Sequence, residues 1–554
     1  MKHRILYILL LVACALSASA QPKWFKKARK AQINLITYDA QGKLLHATNG
    51  FFIDAQGTAL TDYHSFRGAA RAVAIDEVGK EWPVSSIAGA SSLYDVLKIK
   101  VNIPKSTPLT LATTHAAKGQ EVHVMPYLSN KSGLTTPATI ADLSTFNGDY
   151  AYYTLQLQLN DKSASCPVMN QAGEVLGLTQ MAAKAADTKS YAVSAAFAQS
   201  LATNALSANA ADYRDILIKK ALPADASQAH SFIFLLGARD TAAYATYIED
   251  YIHLFPNEAE GYSLKADLLT AQGRYAEAEA TWDAGIRATG KEDELRYARA
   301  AAIFRLAQAT SQMPENWTLE RAMQEVQAAQ AKNPQPVYEA LIAQLLYAQK
   351  QYAEACERFL ALNRTNFRSA DNFLYAAQCQ QMLRDTTAVL ALQDSAVACF
   401  TKPYIEAAAP ALLMRANTLI SLQRYREGVI DLNDYERLKS KDLTANFYYQ
   451  REQAEMRCRM YQQALSDIER AARMEPAEPL YQAELAAVNY RFGQHDEAIA
   501  AARTAIVLDS QFADAYRILG LSLRAQGKEQ DARAALQQAI SLGDDVARPL
   551  LNDE

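Results

Sequence analysis

The chain has 554 residues, 50% of them hydrophobic and 21% charged, so it is long enough for several globular domains and is neither disordered nor fibrous. Its 56 Lys and Arg residues against 60 Asp and Glu residues give a net charge of −4, which provides no reason to expect a nucleic-acid partner. The one long apolar run lies at the N-terminus, which excludes a protein with several membrane-spanning helices.

The first twenty residues are typical of an export signal. Lys2 and Arg4 form a positive start, an apolar run follows, and Ala18 to Ala20 supply the small residues of a cleavage site. We therefore expect residues 1–20 to be a signal peptide and the protein to be periplasmic or associated with the outer membrane. A second interpretation stays open, because the run from Leu11 to Cys14 resembles a bacterial lipobox, in which Cys14 would carry a lipid anchor.

A basic stretch directly follows this signal. It contains five cations, namely Lys23, Lys26, Lys27, Arg29 and Lys30. Such a stretch is typical of a solvated helical face, and it is also able to rest against an anionic membrane surface as a peripheral contact.

From about residue 33 to residue 193 the apolar residues come in short, often alternating runs. In Val96 to Val101, Lys98 and Lys100 alternate with aliphatic residues, and a similar run extends from Tyr153 to Leu159. This pattern predicts an all-β sandwich or barrel. From about Ala196 the apolar residues recur at helical spacing, so the fold class changes between residues 195 and 225, and residues 206–224 are predicted to be a linker.

The helical half repeats with a constant period. Ala464, Ala498 and Ala532 are 34 residues apart, each within a matching pattern of small and aromatic residues. This pattern resembles the tetratricopeptide repeat, which implies an all-α solenoid of about nine helix pairs over residues 225–550 that holds a protein or peptide partner. The run from Ala307 to Trp317 indicates an insertion between helices, and the units near Val389 and Gly428 match the pattern weakly.

The β half shows a second resemblance, in the run from Gly50 to Asp54 and the run from Ala59 to His64. These runs are similar to the trypsin-like double β-barrel, specifically the HtrA/Deg branch of bacterial proteases, over residues 21–205. The resemblance implies that His64 is the catalytic histidine and that Asp95, 31 residues later, is the catalytic aspartate.

The third element of that resemblance is altered. Pro167 and Val168 match the end of the motif that carries the nucleophilic serine, but the serine position holds Ala164, and Lys162 and Ser165 replace the two glycines of that motif. Because a methyl group has neither a proton nor a lone pair to offer, the sequence predicts a pseudoprotease that acts as a protein-binding scaffold, with His64 and Asp95 as hydrogen-bonded remnants.

The alternative is an active serine endopeptidase whose substrates are presented by the solenoid. In that case the nucleophile has to be one of the residues next to Ala164, namely Ser163, Ser165 or Cys166. Asp62, two residues before His64, is interpreted as an exposed carboxylate.

Cysteine and histidine spacing indicates no metal or cofactor site. Five cysteines lie beyond the signal, an odd number with no CxxC pair, and they are Cys166, Cys356, Cys379, Cys399 and Cys458. We expect buried thiols, with Cys356 and Cys379 as the first pair to consider for a disulfide. The remaining histidines lack metal-ligand spacing, and no phosphate-binding glycine loop occurs.

Overall fold

A computed structural model describes residues 23–127, 135–159, 163–180, 188–237 and 241–552. The predicted signal peptide, Cys14 and Lys162 lie outside these residues. Two compact units divide the chain, Met1–Leu295 and Arg296–Glu554. None of the helices in the described part of the chain combines the length and the apolar character needed to cross a membrane.

The first unit contains two closed six-stranded β-barrels with the same strand order. Neighbouring strands follow the order β1-β2-β3-β6-β5-β4 in the first barrel, and β7-β8-β9-β12-β11-β10 repeats it in the second. The strands are β1 (Gln32–Tyr38), β2 (Leu44–Phe52), β3 (Thr58–Thr61), β4 (Arg71–Ile75), β5 (Glu81–Ser91), β6 (Val96–Val101), β7 (Glu121–Val124), β8 (Thr136–Phe146), β9 (Tyr150–Leu155), β10 (Pro167–Met169), β11 (Val175–Thr179) and β12 (Ser190–Ser194). The predicted all-β double barrel is confirmed.

Strand alternation explains most of these bounds. In β6 the aliphatic side chains are buried, whereas Lys98 and Lys100 are only half-buried, as a period of two requires. The run predicted to start at Tyr153 instead starts at Tyr150, because β9 pairs along its whole length with β8, and it ends at Leu155. Beyond Leu155 the polar alternation belongs to a bend and not to the sheet.

A buried apolar layer joins the two barrels. Phe51 and Leu60 of the first barrel meet Met169 and Val193 of the second, with Phe25 of helix α1 (Phe25–Ala31) in the same cluster. The layer fixes the positions of the loops that leave β3, β5 and β9 toward the boundary between the barrels.

The segment expected to be a linker packs on the first barrel. It follows helix α2 (Ala195–Ser200) and contains helix α3 (Ala211–Arg214). Ile216 and Ile218 enter the first-barrel core, and the Ile87 N–H donates to the Lys219 carbonyl oxygen at 2.8 Å. These residues therefore extend the β5 edge, although the predicted domain boundaries themselves stay predictions.

Helices make up the rest of the described chain, and the all-α solenoid prediction is confirmed. Nineteen helices follow in the described residues, close to the nine pairs expected, with one short final helix. They are α4 (Ala226–Gly237), α5 (Thr241–Leu254), α6 (Ala259–Ala271), α7 (Tyr275–Thr289), α8 (Glu292–Ala309), α9 (Leu319–Lys332), α10 (Pro336–Ala348), α11 (Tyr352–Leu362), α12 (Ala370–Met382), α13 (Thr386–Val397), α14 (Ala409–Ser421), α15 (Tyr425–Lys439), α16 (Ala445–Arg457), α17 (Tyr461–Met474), α18 (Pro479–Arg491), α19 (His495–Leu508), α20 (Ala513–Ala525), α21 (Glu529–Ser541) and α22 (Ala547–Asn552).

The repeat marks are packing residues. Ala464, Ala498 and Ala532 each occupy the fourth position of the second helix of a pair and have no exposed surface. A small side chain there lets the paired helices approach closely. The predicted insertion falls between α8 and α9, where Trp317 is buried.

The five cysteines of the described residues are free thiols. Cys356 and Cys379, the pair considered for a disulfide, are both buried and unbridged. The Cys356 sulfur accepts a hydrogen bond from Gln380 at 3.3 Å, in the helical turn that contains Cys379. Burial raises the pKa of the Cys379 thiol to about 12, which makes it unreactive at neutral pH.

Candidate active site

The predicted histidine and aspartate meet at one end of the first barrel. His64 opens a short 3-10 turn after β3, and Asp95 directly precedes β6. Because β3 and β6 are antiparallel, with Thr61 opposite Leu97, the residues after one strand and before the other lie at the same edge.

A hydrogen bond joins the two residues through the backbone. The Asp95 Oδ1 accepts from the His64 backbone N–H at 2.8 Å, while the His64 side chain is exposed and Asp95 is half-buried. Burial raises the pKa of Asp95, and the nearby charge of Asp62 raises it further, against the lowering effect of the His64 amide and imidazole. The structure therefore brings His64 and Asp95 together as predicted, with the amide of His64 as the donor.

Asp62 is buried, so its interpretation as an exposed carboxylate is wrong. Only 2% of the residue is exposed. Its Oδ1 accepts from the Ser65 N–H at 2.7 Å, and its Oδ2 accepts from the hydroxyls of Thr48 and Ser165, the latter at 2.8 Å. These donors compensate the loss of water around the carboxylate.

The loop with the altered motif lies at the boundary between the two barrels. The Ala164 carbonyl oxygen accepts from the Asn49 side-chain amide at 2.8 Å, and the Ser165 N–H donates to the Thr179 carbonyl oxygen at 2.8 Å. Ser165 has a φ of 58°, in the left-handed region that glycine favours, at a position where the resembled motif has glycine. The loop thus has a left-handed residue at a position where the resembled motif has a glycine.

Access separates the candidate nucleophiles. Ser163 is half-buried, Ala164 is 5% exposed, and Ser165 and Cys166 have no exposed surface. Burial raises the pKa of the Cys166 thiol to about 12, which leaves almost no thiolate at neutral pH and argues against this cysteine as a nucleophile. Among the described residues, the Ser165 hydroxyl donates to Asp62 and not to His64, whose imidazole faces that of His46 with ring centroids 5.4 Å apart.

A polar tether connects both barrels beside this loop. The Gln180 side-chain amide donates to the Tyr94 carbonyl oxygen at 2.6 Å and accepts from the Tyr152 hydroxyl at 2.5 Å. Sequence analysis missed this tether, as it missed Asn49 and the burial of Asp62. The position of Asp62, two residues before His64, was the one signal in the sequence that this carboxylate belongs to the site. The roles of His64, Asp95, Ala164, Ser163 and Ser165 in catalysis stay predictions.

The β domain is similar to known peptidases. Residues 48–178 match the family model of the trypsin-like peptidase domain. Among solved structures, the Rv3671c protease of M. tuberculosis in its active form has 19% sequence identity and a TM-score of 0.28, with 32% of this chain and 82% of that one covered. A serine endoprotease from Yersinia pestis has 16% identity and a TM-score of 0.28, covering 32% of this chain and 65% of that one.

Part of the chain is similar to a curated protein whose name includes the tetratricopeptide repeat. It is a small glutamine-rich tetratricopeptide repeat-containing protein of Mycosarcoma maydis, which is 33% identical over 87 residues, or 16% of this chain. The chain spans a quarter of that protein's length.

The prediction of a pseudoprotease is wrong in the light of the family comparison. The peptidase model is matched continuously from residue 48 to residue 178, a range that includes His64, Asp95 and the loop with Ala164. The altered positions of the motif, Lys162, Ala164 and Ser165, all lie inside the range that the peptidase model matches. Residues 48–178 are thus similar to the trypsin-like peptidase domain, and a helical region follows the two barrels.

Proposed function

We propose that the β domain is a serine endopeptidase and that the helix pairs recruit its protein substrates. The observation that carries the proposal is the match to a peptidase model across both halves of the site. The hydrogen bond between Asp95 and the turn of His64 supports it, because a general base has to be held in position to accept a proton.

The nucleophile has to come from a neighbour of Ala164. Ser165 donates its hydroxyl to Asp62 and is fully buried, so a substrate carbonyl reaches it only after a rearrangement. Ser163 is half-buried and precedes the alanine in the same loop. We assign the nucleophile to Ser163, with Ser165 as the second candidate, and His64 as the general base.

A fluorophosphonate probe, which labels activated serines, tests this assignment on the full-length protein. We expect a label on Ser163 that is lost in Ser163→Ala and strongly reduced in His64→Ala. Ser144→Ala, a change at an exposed position of β8, is the matched control and should label like the wild type. Loss of a serine nucleophile removes about 10⁶-fold of turnover, so casein hydrolysis should fall to background in the same variant.

Labelling of Ser165 would keep the proposed activity and move the nucleophile by two residues. The proposal fails if no serine of this loop is labelled, or if casein hydrolysis is the same in Ser163→Ala as in the wild type. The second result would point to a contaminating protease.

The helical region offers a groove for substrate recruitment. A cavity of about 660 Å³ lies against α8, α10 and α12, and Tyr297, Arg305, Gln344, Arg368 and Tyr375 are among its lining residues. Aromatic rings and guanidinium groups are frequent anchors in protein interfaces. We propose that an extended segment of the substrate binds here.

A double variant separates recruitment from chemistry. In Arg305→Ala/Arg368→Ala, kcat/KM should fall at least tenfold for a protein substrate and stay unchanged for a short peptide. Arg473→Ala, at an exposed position of α17, is the control. An equal loss for both substrates would contradict recruitment by this groove.

We also propose that the protein is exported and touches a membrane surface through α1. The helix buries Phe25, Ala28 and Ala31 and exposes its cations, with Lys26 and Lys27 on its outer side. Binding to vesicles that contain one-third anionic lipid should be lost in Lys26→Glu/Lys27→Glu and in 0.5 M salt, whereas unchanged binding would contradict the contact.

Intact-mass measurement of the exported protein distinguishes cleavage after Ala20 from lipidation of Cys14.

A further inference from the structure

Two exposed imidazoles face each other at the candidate active site. His46 lies on β2, and His64 lies on the 3-10 turn after β3. Their ring centroids are 5.4 Å apart, and their planes are inclined by 53°. Both side chains are exposed, so both rings are open to a small solute.

One buried hydroxyl fixes the backbone beneath both histidines. Thr37, which has no exposed surface, accepts from the His46 N–H at 3.1 Å and donates to the Ser65 carbonyl oxygen at 2.8 Å. Ser65 directly follows His64, so this hydroxyl couples the two segments that carry the imidazoles. The spacing of the two backbone segments that carry the imidazoles is thus set by the barrel.

The spacing suits a shared metal ion. Zinc binds imidazole nitrogen at about 2.0–2.1 Å, which places the ion roughly 3.2 Å from the centre of each ligating ring. At the tetrahedral angle, two such ring centres are about 5.2 Å apart, close to the observed 5.4 Å. Rotation of two exposed rings is sufficient to aim one nitrogen of each at a common point.

The surroundings favour a cation as well. The Asp95 carboxylate is held against the His64 turn, and Asp62 lies beneath it, with its Oδ1 bonded to the Ser65 N–H. Carboxylate groups close to the two imidazoles attract a cation to this edge of the barrel. No group of three or more His, Cys, Asp or Glu side chains suited to a metal is found among the described residues, so water molecules would complete the coordination of the ion.

We propose that His46 and His64 form a chelating site for Zn²⁺ at the mouth of the candidate active site. The metal is exchangeable, because only two protein ligands hold it. A bound ion occupies the imidazole lone pair of His64, so zinc blocks this histidine as a general base. This last consequence, unlike the binding itself, rests on the proposed peptidase function.

Calorimetric titration of the untagged, full-length protein with ZnCl₂ tests the site directly. We expect one site in the wild type, and at least tenfold weaker binding in both His46→Ala and His64→Ala. His253→Ala, at an exposed position of α5, is the control and should bind like the wild type. Unchanged binding in His46→Ala, with a folded circular dichroism spectrum, would overturn the proposal.

A second readout distinguishes this proposal from the proposed function. Fluorophosphonate labelling should be slowed by Zn²⁺ in the wild type and in His253→Ala, and should resist Zn²⁺ in His46→Ala. If the loop is never labelled but calorimetry still shows the two-histidine site, the peptidase proposal fails and the metal site stands. If labelling occurs and Zn²⁺ leaves it unchanged in the wild type, the inhibitory role is refuted.

Discussion

Two buried carboxyl groups in α16 make the helical region sensitive to alkaline pH. Glu452 has no exposed surface and its Oε1 has no hydrogen-bond partner, and Glu455 is 2% exposed with an unpartnered Oε2. Burial raises the pKa of each to about 8; the charge of Glu484 adds to this at Glu452, and that of Asp467 at Glu455, where Arg451 opposes it.

The sign of the effect follows from proton binding. An unfolded glutamate titrates near 4.5, so between that pH and about 8 the folded state binds more protons than the unfolded state. Stability from these groups is therefore fully present below pH 4.5 and is lost as the pH rises toward 8. Each pKa unit corresponds to about 1.4 kcal/mol, so the loss in free energy of unfolding has an upper limit of about 5 kcal/mol per group. The polarisability of the surrounding protein and water reduces this loss to about 2 kcal/mol per group.

Urea unfolding of the full-length protein, followed by helical circular dichroism at pH 5 and pH 9, measures this effect. Glu452→Gln/Glu455→Gln should unfold at the same urea concentration as the wild type at pH 5 and be more stable by about 4 kcal/mol at pH 9. Glu497→Gln, at an exposed position of α19, should change neither value. If the double variant and the wild type differ by the same amount at both pH values, the two carboxyl groups are ionised in the folded protein and the reasoning is refuted.

Three further predictions follow from local geometry. Gln423→Gly should raise the free energy of unfolding by about 1 kcal/mol, because Gln423 has a φ of 62°, whereas Gly527→Ala, at the equivalent position of another helix pair, should lower it by a similar amount in the same urea titration. The Cys166 thiol, with a pKa of about 12 because of burial, should resist iodoacetamide at pH 8 until the protein is unfolded, and native modification would contradict its burial. Gly89→Ala should lower the melting temperature, since an added Cβ would lie 2.6 Å from the Leu201 Cβ and 2.8 Å from its carbonyl oxygen, and an unchanged melting temperature would show that this contact relaxes freely.

The helix pairs show where sequence patterns identify a repeat and where they fail. In seven helix pairs, the residue two positions before the second helix has a left-handed backbone conformation. These residues are Gly273, Lys350, Arg384, Gln423, Arg459, Gly493 and Gly527. Glycine marks this turn in the sequence because it reaches that conformation without strain, whereas the long polar side chains at the other positions carry no such signal.

The weak units have no glycine at this turn. The pairs near Val389 and Gly428 have Arg384 and Gln423 there, so glycine does not mark the end of their first helices, although the same holds for Arg459 in the well-matched pair that contains Ala464. Packing of the paired helices imposes the left-handed residue there at a cost of about 1–2 kcal/mol. The alanines that let helices approach were visible from the sequence, because small residues at a constant period need no knowledge of the tertiary structure.

In the β domain, too, some features were predictable from the sequence and others were not. Strand positions and the pairing of His64 with Asp95 were predictable, because alternation and chain order depend on local sequence and on a known arrangement. The burial of Asp62 was not, since its partner Ser165 lies 103 residues away in the other barrel. A carboxylate next to a turn is expected to be exposed unless its hydrogen-bond donors are known. Thr48 and Ser65 supply theirs when the first barrel folds, and Ser165 supplies its hydroxyl only when the second barrel is in place.

The contacts of the loop with Ala164 explain how the alanine is accommodated. The Ala164 carbonyl oxygen is held by Asn49, the Ser165 hydroxyl by Asp62, and the Ser165 amide by Thr179. None of these contacts involves the side chain at position 164, so the backbone of the loop does not depend on a serine there. Because the loop folds without a serine at position 164, a hydroxyl of a neighbouring residue is able to act as the nucleophile. The observation that decides the chemistry is therefore which serine the fluorophosphonate probe labels, and not the fold of the loop.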